Sequence, residues 1–238
     1  MKKEHLLSFI DKYHLSGNCE SAKWVVTANT LQTSFLTSDR NVIGSVSYAS
    51  PELPDIELGV YNTGQLIKLM SALDSDVNVN FKKADKQVYA MELSDSNTTA
   101  SYMLSDLSVI PDAPSLKKLP DFDIKVELSK EFTSRFIKSK NALPESDNFA
   151  VESDGSTCTL TINYANINTN KITYAVKSVE TPNKMSPVCF SAKLFKEILE
   201  ANKDCTGWLE VSSAGLGRVT LKNDSFTAVY YLVKLTIN

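Results

Sequence analysis

Few side chains in this sequence stand where they could do covalent or metal chemistry. The only two histidines, His5 and His14, lie nine residues apart on one N-terminal segment. That is too far for a paired metal site, and neither has the sequence context of a nucleophile–base–acid triad. The four cysteines, Cys19, Cys158, Cys189 and Cys205, show no Cys-x-x-Cys spacing. They read as reduced, mostly buried thiols rather than as metal ligands or a disulfide framework. Gly215-Leu216-Gly217 falls in a hairpin and lacks the following residues that a phosphate-cradling loop needs. Asp121 and Asp123 are close in sequence but belong to a connecting stretch, where solvated turn residues are expected. No catalytic residue, metal ion or cofactor is expected, and the chain does not read as an enzyme.

The bulk composition narrows the choice further. Hydrophobic residues make up 42% of the 238 positions and charged residues 22%, enough for a core that needs no disulfide or structural metal. A net charge of −3 argues against a protein whose whole surface coats nucleic acid, but leaves room for a locally basic face. No apolar run approaches a membrane span, and the short apolar stretch from Leu6 to Ile10 is followed at once by Asp11 and Lys12. A cytoplasmic protein with no membrane partner is expected.

Four segments carry helical periodicity. Over residues 2–14, Leu6, Leu7, Ile10, Tyr13 and His14 fall on one side. Over about 63–73 the apolar residues are Leu66, Leu69, Met70 and Leu73, with Asn62 as N-cap. Over 130–143, Ser129 is the cap and Phe132 and Phe136 lead the apolar face. Over 192–203, after Ser191, they are Leu194, Phe195, Ile198 and Leu199. The rest reads as short strands bounded by turn signals, such as Trp24–Thr27, Asn41–Tyr48, Gln87–Leu93 and Thr157–Ile162. The fold class is therefore α+β and strand-rich, with helices too few and scattered for βαβ winding.

One pattern is written twice. The caps Asn62 and Ser191 are 129 residues apart, and at that offset Leu66 meets Phe195 and Met70 meets Leu199. Thr99-Ala100-Ser101-Tyr102-Met103-Leu104 matches Thr227-Ala228-Val229-Tyr230-Tyr231-Leu232 at four of six positions. Between the halves lies a stretch with Pro111, Pro114 and Pro120, suited to an extended connector. The expected organisation is a first domain over 1–106, a connector over 107–122 and a second domain over 123–238.

Charge segregates by element type. Each helical segment has a net positive charge, although the chain as a whole is acidic. On the sides opposite the apolar stripes stand His5, Ser8 and Lys12, with Lys2 and Lys3 at the start of the same segment. Lys68 stands there on the second helix, Lys130, Ser134 and Lys138 with Arg135 on the third, and Lys193 and Lys196 on the fourth. Lysine is a good helix former, so one basic face would mean little. Four such faces in an acidic chain point to a surface that attracts phosphates without reading bases.

These features together resemble the DNA sliding clamps, in the two-domain trimeric form found in large tailed phages, archaea and eukaryotes. Asp55-Ile56-Glu57-Leu58-Gly59-Val60-Tyr61-Asn62 is similar to the strand leading into the second helix of a phage clamp. Val188-Cys189-Phe190-Ser191 holds the equivalent place in the second half, and Ala228–Val233 resembles a clamp's closing strand. The resemblance implies three chains in a closed homotrimeric ring, helices on the inner wall and antiparallel sheets outside. It implies a function too, the encircling of duplex DNA to tether a DNA polymerase for processive synthesis. The implied DNA-facing residues are Lys2, Lys3, His5, Lys12, Lys68, Lys130, Arg135, Lys138, Lys193 and Lys196. A partner-peptide pocket is implied at Leu107, Val109, Ile110, Pro111, Tyr230 and Leu232, and an ATP-driven clamp loader as a further partner. A viral source would place the protein in the host cytoplasm. The alternative is a strand-rich viral structural or assembly protein, which would explain the duplication but not the basic helix faces. A single-strand binding protein would want aromatics on an exposed basic strand face, and most aromatics here suit a core.

Overall fold

The computed structural model describes residues 2–236 except 50, 75, 86 and 166. The chain divides into two compact units. Unit 1 takes in the residues up to Asp39, Gly44–Pro114 and Ser225–Thr227; unit 2 takes Arg40–Ile43, Ser115–Asp224 and the residues from Ala228 on.

Unit 1 begins with α1 (Lys3–His14), followed by β1 (Ala22–Thr27), β2 (Thr30–Leu36), β3 (Val42–Ala49) and β4 (Ile56–Val60). Next come α2 (Thr63–Ser71), β5 (Asn78–Ala84), β6 (Gln87–Ser94) and β7 (Thr99–Met103). The first four strands are ordered β4-β1-β2-β3, and the last three form a separate sheet, β5-β6-β7. α1 forms because Leu6, Phe9, Ile10 and Tyr13 recur at three- and four-residue spacing, and all four are fully buried. Phe9 meets Trp24 of β1 edge to face, with centroids 5.4 Å apart. α2 starts where Asn62 Oδ1 accepts the Gln65 N–H at 2.9 Å. Glu20 braces both helices: one carboxylate oxygen pairs with His14 Nε2 at 3.0 Å and the other accepts the Gly64 N–H at 2.9 Å. Gly59 is required on β4, since a Cβ there would come within 2.3 Å of the Ser105 carbonyl oxygen.

Unit 2 runs β8 (Ile124–Leu128), α3 (Lys130–Ala142), β9 (Asn148–Ser153), β10 (Cys158–Ile162), β11 (Ile172–Val176) and β12 (Met185–Ser191). It closes with α4 (Ala192–Ala201), β13 (Thr206–Val211), β14 (Leu216–Lys222) and β15 (Phe226–Val233). Its sheets are β11-β10-β9-β12 and β15-β14-β13-β8. Phe132, Phe136, Phe149, Phe190 and Phe195 make one aromatic cluster, with Phe136 set edge-on to Phe149 at 5.3 Å and to Phe195 at 4.8 Å. Ser191 Oγ accepts the Leu194 N–H and Ser129 Oγ accepts the Phe132 N–H, so α4 and α3 carry the caps that the sequence indicates.

Strand order repeats between the units: β4-β1-β2-β3 has its counterpart in β12-β9-β10-β11, and β5-β6-β7 in β13-β14-β15. The counterpart of β8 in unit 1 is reduced to an isolated bridge between Lys2 and Asp76. The α+β class expected from the sequence is the class observed. Both closing strands end on a bond back to the strand before the second helix: the Ser105 N–H donates to the Gly59 carbonyl after β7, and the Leu235 N–H to the Cys189 carbonyl after β15. Tyr102 and Tyr230 are both buried, but Tyr102 bonds the Asn62 backbone at the start of α2, whereas Tyr230 bonds Asn202 at the end of α4.

No helix among the described residues is long and apolar enough to cross a membrane. All four cysteines are buried and unbridged.

Candidate nucleic-acid interface

In unit 2 the exposed side of α3 carries Lys130, Ser134 and Lys138, one above the other at four-residue spacing, with Glu131 and Arg135 alongside. Arg135 is neutralised by Glu131 at 2.6 Å and lies over the Tyr174 ring at 5.6 Å. Lys130 and Lys138 have no ion pair among the described residues. Lys140, on the other side, is buried and donates to the Pro144 carbonyl at 2.8 Å, closing the end of the helix. On α4, Lys193 is exposed, while Lys196 is half-buried beside Glu200 at 3.9 Å. In unit 1, Lys68 is exposed on α2.

α1 differs from the sequence expectation. Lys2 is exposed, but Lys3 donates to the Leu73 carbonyl. His5 is half-buried, with Nδ1 3.0 Å from the Tyr48 hydroxyl. Lys12, expected to face DNA, is fully buried. Its ammonium donates to Ser8 Oγ at 3.1 Å and lies 4.8 Å above the Phe226 ring. The reason is that α1 is covered on a second flank, by Tyr48 and Phe226 stacked at 4.7 Å, so the side opposite the apolar stripe is not its free side. Phe9, absent from the expected stripe, is fully buried and packs on Trp24 and Tyr13. The free side is instead centred on Glu4 and Asp11, with Leu7 and Ser8 half-buried between them.

The expected peptide-binding residues also separate. Leu107 is half-exposed, lining a cleft of about 500 Å³ with Gln87, Val88 and Asp106, and Val109 is 57% exposed. Pro111 is exposed beside the Lys23–Asp112 ion pair, where Nζ and Oδ1 are 2.6 Å apart. Ile110, Tyr230 and Leu232 are buried and offer nothing to a partner. β15 alternates, burying Phe226, Ala228, Tyr230 and Leu232, so the residues turned outward are Thr227, Val229, Tyr231 and Val233. Strand periodicity alone would have picked those positions.

The remaining candidates for chemistry are structural. Asp123 accepts the Ser213 N–H at 2.8 Å, which holds its carboxyl below the usual range. Gly215 turns the β13–β14 hairpin at φ 95°. Burial pushes the Cys189 thiol up to about 11 and the Cys19 thiol up to about 12, which leaves both as unreactive thiols.

The repeated two-sheet, two-helix unit along the whole chain defines the fold of the DNA sliding clamps. Solved structures agree. Proliferating cellular nuclear antigen (PCNA) from Entamoeba histolytica superposes with a TM-score of 0.75 at 18% identity, over 99% of this chain and 97% of that one. A. fulgidus PCNA, bound to the C-terminal region of FEN-1, does so at 0.79 and 14%, over 100% and 98%. A PCNA2–PCNA3 complex from Sulfolobus tokodaii gives 0.75 and 11%, over 98% and 97%. No family model matches the sequence and no curated protein matches it.

Proposed function

We propose that the protein is a sliding clamp: a homotrimeric ring that encircles duplex DNA, slides on it, and tethers a DNA polymerase without catalysing any reaction itself. The observation that carries this reading is the full-length likeness to three PCNA structures, at TM-scores of 0.75 to 0.79. The exposed row of Lys130, Ser134 and Lys138, with Lys193 and Lys68, supplies the sequence-blind phosphate contacts that such a ring needs. Self-association has strand edges available, β7 and β11 among them, since each ends its sheet. The complex of two PCNA chains from Sulfolobus tokodaii supports assembly from clamp subunits.

The partner set follows the same likeness. Because A. fulgidus PCNA binds the C-terminal region of FEN-1, a polymerase is proposed to dock a terminal peptide on the connector, at Leu107, Val109 and Pro111. A clamp loader that opens the ring is part of the proposal. A viral source and a place in the host cytoplasm rest on the sequence resemblance alone.

The test is charge reversal of Lys130, Lys138 and Lys193 together, with processive synthesis and solution mass as readouts. The expected result is shorter products from an assembly of unchanged mass. Full-length processive synthesis by the triple variant would remove the proposed DNA face.

A further inference from the structure

The two units repeat one design, so each helix of unit 2 shows what its counterpart in unit 1 could have carried. α1 and α3 can be aligned by packing rather than by sequence. Phe9 meets Trp24 of β1 at 5.4 Å with ring planes at 88°, and Phe136 meets Phe149 of β9 at 5.3 Å and 82°. β1 and β9 hold the same place in the two sheets. With Phe9 set on Phe136, Tyr13 falls on Lys140, both buried, and Glu4 falls on Glu131, both exposed. Asp11 then falls on Lys138. Both are exposed, and their charges are opposite.

The rest of α1 does not restore the basic face. At the position of Lys130 stands Lys3, whose ammonium is held by the Leu73 carbonyl. The further lysine of the helix, Lys12, is buried. Glu131 of α3 is cancelled by Arg135 at 2.6 Å, whereas Glu4 of α1 has Lys2 and His5 only at 3.9 Å. The free side of α3 is thus a pair of uncompensated lysines, and the free side of α1 carries Asp11 with Glu4.

We infer that Asp11 keeps the α1 face off the DNA phosphates, so that the duplex is tracked by unit 2 through Lys130 and Lys138. This rests on the clamp reading and adds to it a division of labour between the halves of each chain. The physical advantage concerns sliding. Every phosphate neutralised adds salt-dependent affinity, and a duplex gripped evenly by all helices would be held harder than one gripped by half of them. An acid at the equivalent position reduces the number of simultaneous phosphate contacts without changing the fold, since an exposed helix position tolerates either charge.

The test exchanges the two residues. Asp11→Lys and Lys138→Asp are made in the full chain, with Asp11→Asn as a milder third variant and circular dichroism as a check of folding. Binding to a short blunt duplex of arbitrary sequence is measured across a salt series. Asp11→Lys is expected to tighten binding several-fold and steepen the plot of log affinity against log salt by about 0.9 for each new phosphate contact. Asp11→Asn is expected to act in the same direction with a smaller effect, and Lys138→Asp in the opposite direction. If Lys138→Asp weakens binding but neither Asp11 variant changes it, α1 does not face phosphate and the inference is wrong, while the clamp reading stands. If none of the three alters binding or its salt dependence, the helical DNA face itself is wrong and the inference falls with it.

Discussion

Unit 1 and unit 2 share strand order, helix placement and an edge-to-face aromatic contact between the first helix and the strand that follows it, yet they fill and decorate that frame differently. Unit 2 builds its helix layer on five phenylalanines, with Phe195 of α4 stacked on Phe149 at 4.7 Å. Unit 1 mixes Phe9, Tyr13, Trp24 and Phe35 and needs polar ties, among them the Tyr13 hydroxyl 3.0 Å from Thr63 Oγ1 and the Glu20 brace between its helices. What persists is what close packing fixes, namely backbone pairing and the position of the central aromatic. What drifts is the surface charge, which contributes little to stability and is free to serve function.

The largest expected effect tests whether the two aromatic anchors are true equivalents. Phe136→Ala and Phe9→Ala should each cost about 3–5 kcal/mol in urea unfolding, because both leave a cavity under a helix. A loss below about 1 kcal/mol for either would show that its helix is not held by that contact. Next in size is the contrast between two lysines. Lys12→Met removes a buried ammonium and keeps its volume, so stability should be unchanged or raised by about 1–4 kcal/mol, with DNA binding unaffected. Lys138→Met should stay within about 0.5 kcal/mol of the parent in stability and bind duplex more weakly. Weaker DNA binding by Lys12→Met would contradict its placement in the core.

Smaller again are the caps. Asn62→Ala and Ser191→Ala each remove one side-chain acceptor at the start of the second helix and should cost about 1 kcal/mol apiece. Unequal losses would measure how far Glu20, which also accepts an N–H at the start of α2, relieves Asn62. The mildest comparison uses acid. Asp95 in the β6–β7 turn accepts backbone N–H groups from Asp74, Asn97 and Thr98, which hold its carboxyl below the usual range. Asp154 in the β9–β10 turn accepts them from Thr157 and Ser156 and is lowered to about 2. A depressed folded-state pKa stabilises above the ordinary aspartate value and is lost as pH falls through the depressed one. The Asp154 turn should therefore weaken between about pH 4 and pH 2, and the Asp95 turn as pH falls below the ordinary aspartate value. Asp154→Asn should flatten that acid limb in a stability–pH profile, and an unchanged limb would show the turn contributes nothing to it.

Much of the fold was legible because local rules and tertiary structure agree. The three helices after the first start within a residue of the expected positions, and their caps are the indicated Asn62, Ser129 and Ser191. The candidate site was less legible. A helical wheel divides a helix into one core side and one free side, but α1 is packed on two flanks, so the wheel misplaces the buried Lys12 and does not show that His5 is half-buried beside Tyr48. The place of Asp11 on the free side is hidden by a net charge per segment, which does not separate exposed charges from the buried Lys12. Tyr230 and Leu232 were chosen by resemblance to a closing strand, although the alternation of β15 already turns them inward. The repeat is legible because Tyr102 and Tyr230, matched in the sequence, are both buried on their closing strands.

The most direct test of the central claim is whether the protein is held on DNA by topology rather than by contacts. Linear duplex is incubated with the protein, both ends are then blocked by a bulky bound protein or left open, and the complexes are washed at high salt. A ring that encircles DNA is expected to remain on blocked duplex and run off open duplex, because salt screens phosphate contacts but cannot open a link. Equal loss from blocked and open DNA would contradict the clamp account.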